Sequence, residues 1–381
     1  VKIPVYLDYN ATTQVDPRVL EAMLPYFSEN FGNAASRTHS FGWIAEQAVD
    51  DARKKVAELI GAEPNEIVFT SGATEAINLA MKGVFEAYRS KGNHIVTVAT
   101  EHKSVLDTCE HLKKLGAEIT LLKVNREGLI DLDELKNSIT EKTILVSVMM
   151  ANNETGVIQP ISEISKIVHN KGSIMMSDAT QAVGKIPVDV NADGIDLLSI
   201  SAHKLYGPKG IGALFVRRKN PRVKLIAQID GGGHENGLRS GTLNVPAIVG
   251  FGKACEIAKD EMLNDSGQIS ILRTILEQSL CDLGNVFING SIRNRLPNTT
   301  NLSFADILAN SLIKELGNVA VATGSACTSA VPQPSHVLKA MGVSDELSYS
   351  AIRFSLGKFT TEEEIKFCIE EVKNAINKLR P

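Results

Sequence analysis

No apolar run in this chain approaches the roughly 20 residues that a membrane-spanning helix needs, so a helical membrane span is excluded. Nor is there an excess of one charge. Forty Lys+Arg stand against 44 Asp+Glu, a net charge of -4, with the two signs interspersed. That balance offers no basic face to nucleic acid or an anionic membrane. Cysteine is sparse and unpatterned: Cys109, Cys255, Cys281, Cys327 and Cys368 include no C-x-x-C pair. A disulfide framework and a structural zinc site are thereby disfavoured, and no metal is expected. The expected compartment is reducing and cytoplasmic, with an organelle matrix as the alternative. There is no internal repeat, no low-complexity linker, and no signal-peptide pattern in residues 1–6. The first residue is not methionine, which leaves an upstream transit peptide open.

What is present is the bulk of a globular protein. At 43% hydrophobic and 22% charged, 381 residues suffice for one large and one small core. Strand-like segments at 66–70, 94–99, 118–122, 143–149, 173–177, 196–201 and 213–216 alternate with helix-like ones at 73–88 and 102–115. This predicts an α/β fold, a mostly parallel sheet sandwiched by helices. After about residue 245 a long helical segment (248–283) leads to shorter strands (286–288, 300–304), a helix from 311 and a closing helix, 361–379. Thr361-Glu362-Glu363-Glu364 gives that last helix a capping hydroxyl and acids at its positive end. The expected division is a large unit, 14–260, and a smaller α+β unit, 1–13 with 261–381, sharing the long helix.

Ligands of such sheets bind outside the carboxyl ends of the strands, and the informative residues follow strands. Ser71-Gly72-Ala73-Thr74-Glu75 opens a helix whose N–H groups, with the Thr74 hydroxyl, suit a phosphate. Alone it is an ordinary strand-to-helix turn. Alone, Glu101-His102 reads as a helix-capping or surface histidine, and Asn152-Asn153 before Gly156 as turn chemistry. Asp178 closes an apolar strand, where a carboxylate is costly to bury without a cationic partner. In Ser199-Ile200-Ser201-Ala202-His203-Lys204, a strand ends in a lysine just before a Gly/Pro turn, a suitable place for a Schiff-base lysine. An aspartate for a protonated pyridine nitrogen, a lysine for the imine and a helix N-terminus for a phosphate are together what pyridoxal phosphate needs.

A second feature is Gly324-Ser325-Ala326-Cys327-Thr328-Ser329, followed by Pro332 and Pro334. Small, polar and proline-rich surroundings predict an exposed, mobile loop, where a thiol is reactive or merely tolerated. The other four cysteines read as buried small hydrophobes.

These residues resemble the pyridoxal-phosphate-dependent cysteine desulfurases, a class V aminotransferase-like family that supplies sulfur for iron–sulfur clusters. The resemblance runs from Tyr6-Leu7-Asp8-Tyr9-Asn10-Ala11-Thr12-Thr13 to Thr361-Glu362-Glu363-Glu364-Ile365. It includes Phe31-Gly32-Asn33, Asp178-Ala179-Thr180-Gln181, His203-Lys204, Arg239-Ser240-Gly241-Thr242 and Ile352-Arg353-Phe354-Ser355. It implies a fold-type I transferase, a homodimer, and a role for each matched residue. Lys204 would carry pyridoxal 5′-phosphate and shuttle protons, Asp178 would pair with the ring nitrogen, and Gln181 with the ring hydroxyl. His102 would stack on the ring and assist proton transfer as a catalytic residue. Ala73, Thr74, Ser201 and His203 would hold the phosphate, joined by Thr242 of the other subunit. Asn153 and Arg353 would orient L-cysteine. Cys327 would take its sulfur as a persulfide, leaving L-alanine, and pass it to an acceptor for iron–sulfur assembly or tRNA thiolation. A selenocysteine lyase or another class V enzyme is the alternative. Leu308-Ala309-Asn310 departs from the family's acidic-Gly-acidic step, with Asn310 expected to cap the following helix.

Overall fold

In the computed structural model, residues 1–323 and 334–380 are described. Cys327 lies outside the described residues. Among those described, the strands in chain order are β1 (Val5–Tyr6), β2 (Ile67–Thr70), β3 (His94–Val98), β4 (Glu118–Leu122), β5 (Thr143–Ser147) and β6 (Ile174–Asp178). They continue with β7 (Leu197–Ser201), β8 (Gly212–Val216), β9 (Val286–Ile288), β10 (Thr299–Phe304), β11 (Val319–Ala320) and β12 (Ala351–Ser355).

The main sheet has seven strands in the order β2-β8-β7-β6-β5-β3-β4. Its interior strands are buried along their whole length, as helices on both faces require and as apolar runs such as Ile144-Leu145-Val146 allow. Alternate residues serve opposite faces: Ile67 and Phe69 join one hydrophobic cluster, Val68 another. Strand β8 runs antiparallel to both β2 and β7, while the remaining pairs are parallel. The reason is the short connection 202–211, which contains no crossover helix of the kind a parallel return needs.

The helix Val245–Cys281 serves two cores, as its length suggested. Ile248, Phe251 and Cys255 pack into a cluster of the main sheet, and Ile269, Leu276 and Leu280 into a separate one with Val5, Leu7, Phe354 and Ile376. The second core lies against the antiparallel sheet β12-β10-β9, with β1 and β11 forming a short parallel pair. The Thr361 hydroxyl caps the last helix as read, and the Glu364 carboxylate accepts the Thr361 N–H to complete a capping box.

Two readings change. Asn310 caps nothing: the helix Ala309–Leu316 starts before it, with Leu308 at the cap position and no side-chain bond. Buried Ala309, Leu312 and Leu316 define its apolar stripe, so packing sets where it begins. Cys281 is only half-buried, whereas Cys109, Cys255 and Cys368 are buried as expected. Among the described residues no helix is long and apolar enough to cross a membrane.

Candidate active site

The carboxyl ends of β3, β5, β6 and β7 bring four of the expected groups to one edge of the sheet: His102, Asn153, Asp178 with Gln181, and Lys204. Lys204 ends the single turn Ala202–Lys204 that follows β7. Its Nζ donates to the backbone oxygens of Asn10 (2.5 Å) and Ala11 (2.7 Å). Burial, followed by the Arg353 guanidinium, pushes its pKa down to about 8, with Asp8 and Asp178 opposing. A neutral amine is the nucleophilic form, so the site makes one accessible close to neutral pH.

Asp178 is 4% exposed. The Oδ1 atom accepts from the Thr180 N–H (3.0 Å), the Thr180 hydroxyl (2.5 Å) and the Ser199 hydroxyl (2.9 Å). Among the described residues Oδ2 has no hydrogen-bond partner, and no cationic nitrogen lies within 4 Å. A buried carboxylate with one oxygen anchored and the other unspent fits a cationic N–H supplied by a ligand.

His102 is both things its sequence context allowed. It caps the helix Lys103–Lys114, with Nδ1 accepting the Ser104 N–H (3.2 Å) and pairing with the Ser104 hydroxyl (2.7 Å). It is also exposed at the strand edge. Desolvation by the surrounding protein lowers its pKa although the ring reaches the surface, and so favours the neutral form, with Asp178 opposing.

The helix Ala73–Ala87 begins after Gly72 without a side-chain cap. Glu75 takes the Ser71 N–H (2.8 Å) and leaves those of Ala73 and Thr74 without a described acceptor. Ser201 belongs to the same cup, since a Cβ built on Gly72 would lie 3.8 Å from its Oγ. Close packing here depends on Gly212: a Cβ there would come within 2.4 Å of the Ile200 oxygen and 2.7 Å of Gly72 Cα. His203 points Nδ1 at the Thr12 hydroxyl (3.0 Å), and burial followed by Lys204 brings its pKa to about 4, so it too is neutral. Exposed N–H groups, hydroxyls and a helix N-terminus fit a phosphate. A pyridine–phosphate cofactor is therefore compatible with the residues present.

Arg353, on β12, is 6% exposed. The guanidinium donates from Nη1 to the Asn153 oxygen (2.9 Å) and from Nη2 to Asp8 Oδ1 (2.5 Å), while Nε has no partner among the described residues. Any ligand carboxylate gripped by Arg353 must compete with Asp8. Gln181 is likewise engaged: Nε2 donates to the Asn10 oxygen (2.9 Å) and Oε1 accepts from Lys185 (2.8 Å). Thr242 is exposed and is joined to Thr74 and Ser201 by no described contact. Its neighbour Arg239 pairs with Glu75 (2.8 Å).

Several participants escape sequence reading. Asn10 is a hub. Its backbone oxygen accepts from Lys204 and Gln181, Nδ2 donates to Thr299 Oγ1 (2.9 Å), and Oδ1 accepts from Asn298 (3.1 Å). Glu101 is fully buried with Oε1 on the Met149 N–H (2.6 Å) and Oε2 unpartnered among the described residues; burial, then Asp178, raises its pKa well above the usual carboxylate range. Glu154 accepts from the Ser335 hydroxyl, and His336 Nε2 pairs with the Glu101 oxygen (3.0 Å). On the other side Ala322 pairs with Arg353 (2.7 Å). Both described flanks of 324–333, the segment containing Cys327, are thus tied to this site.

The profile of the aminotransferase class-V family matches residues 5–367. A cysteine desulfurase IscS from an Anaeromyxobacter species is 55% identical over 381 residues, covering 100% of this chain and 94% of that relative. The IscS of Pectobacterium carotovorum is 55% identical over 382 residues with the same coverage. A solved NifS-like protein superposes with a TM-score of 0.92 at 40% identity, covering 98% of this chain and 99% of its own.

Proposed function

We propose, from the premise that this chain belongs to the class-V aminotransferase family and is a cysteine desulfurase of the IscS type, that its strand-edge residues hold pyridoxal 5′-phosphate and that Cys327 receives the substrate's sulfur. The unspent Asp178 oxygen carries the reading, because a buried carboxylate without a cation calls for one from a ligand. In this reading Asp178 takes the ring N–H, Gln181 the ring oxygen, and His102 the ring face. Ala73, Thr74, Ser201 and His203 take the phosphate, and Lys204 the covalent link. Bound there, the cofactor supplies an electron sink for electron pairs released next to the substrate's amino carbon.

The rest falls to the chain's own groups. Arg353 orients the carboxylate of L-cysteine by exchanging Asp8 for it, aided by the Asn153 side-chain amide, which has no described partner. Lys204 would accept and return protons at Nζ, a task its lowered pKa supports. The Cys327 thiolate attacks the substrate sulfur. A sulfur–sulfur bond forms, the carbon–sulfur bond breaks, and its electron pair stays with carbon, which takes a proton to give L-alanine. The persulfide sulfur then passes to an acceptor protein for iron–sulfur assembly or tRNA thiolation.

Replacing Asp178 with Asn is expected to lower turnover of L-cysteine about a hundredfold or more, the scale of losing one preorganised electrostatic partner, with the cofactor still bound by absorbance. A loss of only a few-fold would remove Asp178 from this role.

The proposal includes a homodimer in which Thr242 completes the phosphate cup of the other subunit. It is supported by the separation of Thr242 from its own cup and by the exposed Phe31 (65%), Phe41 (47%) and Trp43 (55%). A monomeric mass in solution would overturn that part. The division into units 14–260 and 1–13 with 261–381 is supported by their separate cores, and a reducing, cytoplasmic setting by the unpaired cysteines.

A further inference from the structure

Lys185 is a lysine that neither the fold nor the reaction accounts for. It lies in the turn after Gln181, is 8% exposed, and has no carboxylate within 4 Å among the described residues. Its backbone oxygen is held by the Ser266 hydroxyl (2.5 Å) of the long helix. Among the described residues its Nζ donates only to Gln181, to the backbone oxygen (3.1 Å) and to side-chain Oε1 (2.8 Å). The charged groups around it are Lys204 after β7, Arg353 on β12, and Asp265 and Lys358, which border the same cavity of about 20 Å³. Lys358 is committed to Asp16 (2.6 Å). Burial, with Lys204 and Arg353 behind it, brings the Lys185 pKa down to about 7. Keeping such a group inside without an opposite charge is costly, so its position calls for a functional reason.

The use lies in Gln181. The two ends of an amide are nearly alike in shape, and only its partners decide which is oxygen and which is nitrogen. Even as the neutral amine Nζ has two hydrogens, one for each Gln181 oxygen it faces, so it fixes Oε1 on the Lys185 side. The Asn10 oxygen can only accept, so it fixes one Nε2 hydrogen (2.9 Å). The second Nε2 hydrogen is what the amide has left to offer a ligand.

We propose that Lys185 is a positioning residue that locks the Gln181 amide as a hydrogen-bond donor toward the cofactor's ring oxygen, and thereby tunes the proton affinity of the adjoining Lys204–cofactor bond. The proposal rests on the cofactor reading above. A donor at the ring oxygen holds negative charge there, away from the neighbouring linkage nitrogen. Without it, that nitrogen keeps its proton to higher pH.

The test is a pH titration of the visible absorbance of the purified holoenzyme. Lys185→Met is expected to raise the midpoint by about half a pH unit or more, as loss of a hydrogen bond to a charged form does. Lys185→Gln lacks the charge but can still donate to Oε1, and is expected to restore most of the wild-type midpoint. An unchanged midpoint in Lys185→Met overturns the proposal. So do equal shifts in both variants, which would show charge alone at work. Should Lys185→Met not retain cofactor, Gln181→Leu serves as the shifted reference, and a Lys185→Gln midpoint equal to it also overturns the proposal. A wild-type protein with no pH-dependent visible band would instead sink the cofactor reading itself.

Discussion

Cys327→Ala is expected to lose the release of alanine from L-cysteine by about a thousandfold or more, the scale of removing an essential nucleophile. It should still bind the cofactor and still change its absorbance when L-cysteine is added. The split follows from the division of labour: Lys204 and Asp178 prepare the substrate, and the thiol takes the sulfur. The described cysteines offer no substitute. Burial pushes the Cys109 thiol up to about 12 and those of Cys255 and Cys368 up strongly, far from the thiolate the reaction needs. Cys281 is half-buried at the end of the long helix, and its pKa is raised as well, chiefly by burial. Undiminished alanine in Cys327→Ala would mean that sulfur leaves without passing through this residue.

Lys204→Ala should fall by a similar factor for a different reason, failing before sulfur is reached. The variant has no amine to hold the cofactor covalently or to return a proton to the carbon, and general acid–base catalysis alone accounts for about 10²–10⁴-fold. Added pyridoxal phosphate should bind without the absorbance of a lysine link. In the wild type, the rate at which cofactor-free protein acquires that absorbance should be half-maximal near pH 8, falling about tenfold per pH unit below. A midpoint near the ordinary lysine value would show that burial and Arg353 do not depress this amine. The same shift has a sign for stability. Folded Lys204 gives up its proton near pH 8 and an unfolded lysine near 10.5. Between those values the unfolded chain binds more protons, so this group adds stability to the cofactor-free protein as pH rises through that window.

Much of the fold could be read in advance because buried parallel strands are built from near-continuous apolar runs, and each run sets its own limits. Ile174-Met175-Met176-Ser177-Asp178 stops where its side chains turn polar, and there the strand ends. The reversal of β8 was harder to foresee, since it depends on the shape of the connection 202–211 more than on residue types. Strand β12 was concealed by Arg353, a charged residue buried at its centre through partners 200 and 345 positions away. The same limit governs the site. Lys204 and Asp178 were legible because a charge at the end of an apolar strand is conspicuous. Asn10 and Lys185 were not, because their importance lies in partners that only folding supplies.

The central claim is that sulfur moves from L-cysteine onto Cys327 at a site organised by Lys204 and Asp178. A single turnover of the holoenzyme with one equivalent of L-cysteine, quenched with an alkylating agent and analysed by peptide mass, addresses it directly. The account predicts one added sulfur on the peptide containing Cys327 and an equal amount of alanine. Alanine without that added sulfur, or the sulfur found on Cys109 or Cys281, would contradict it.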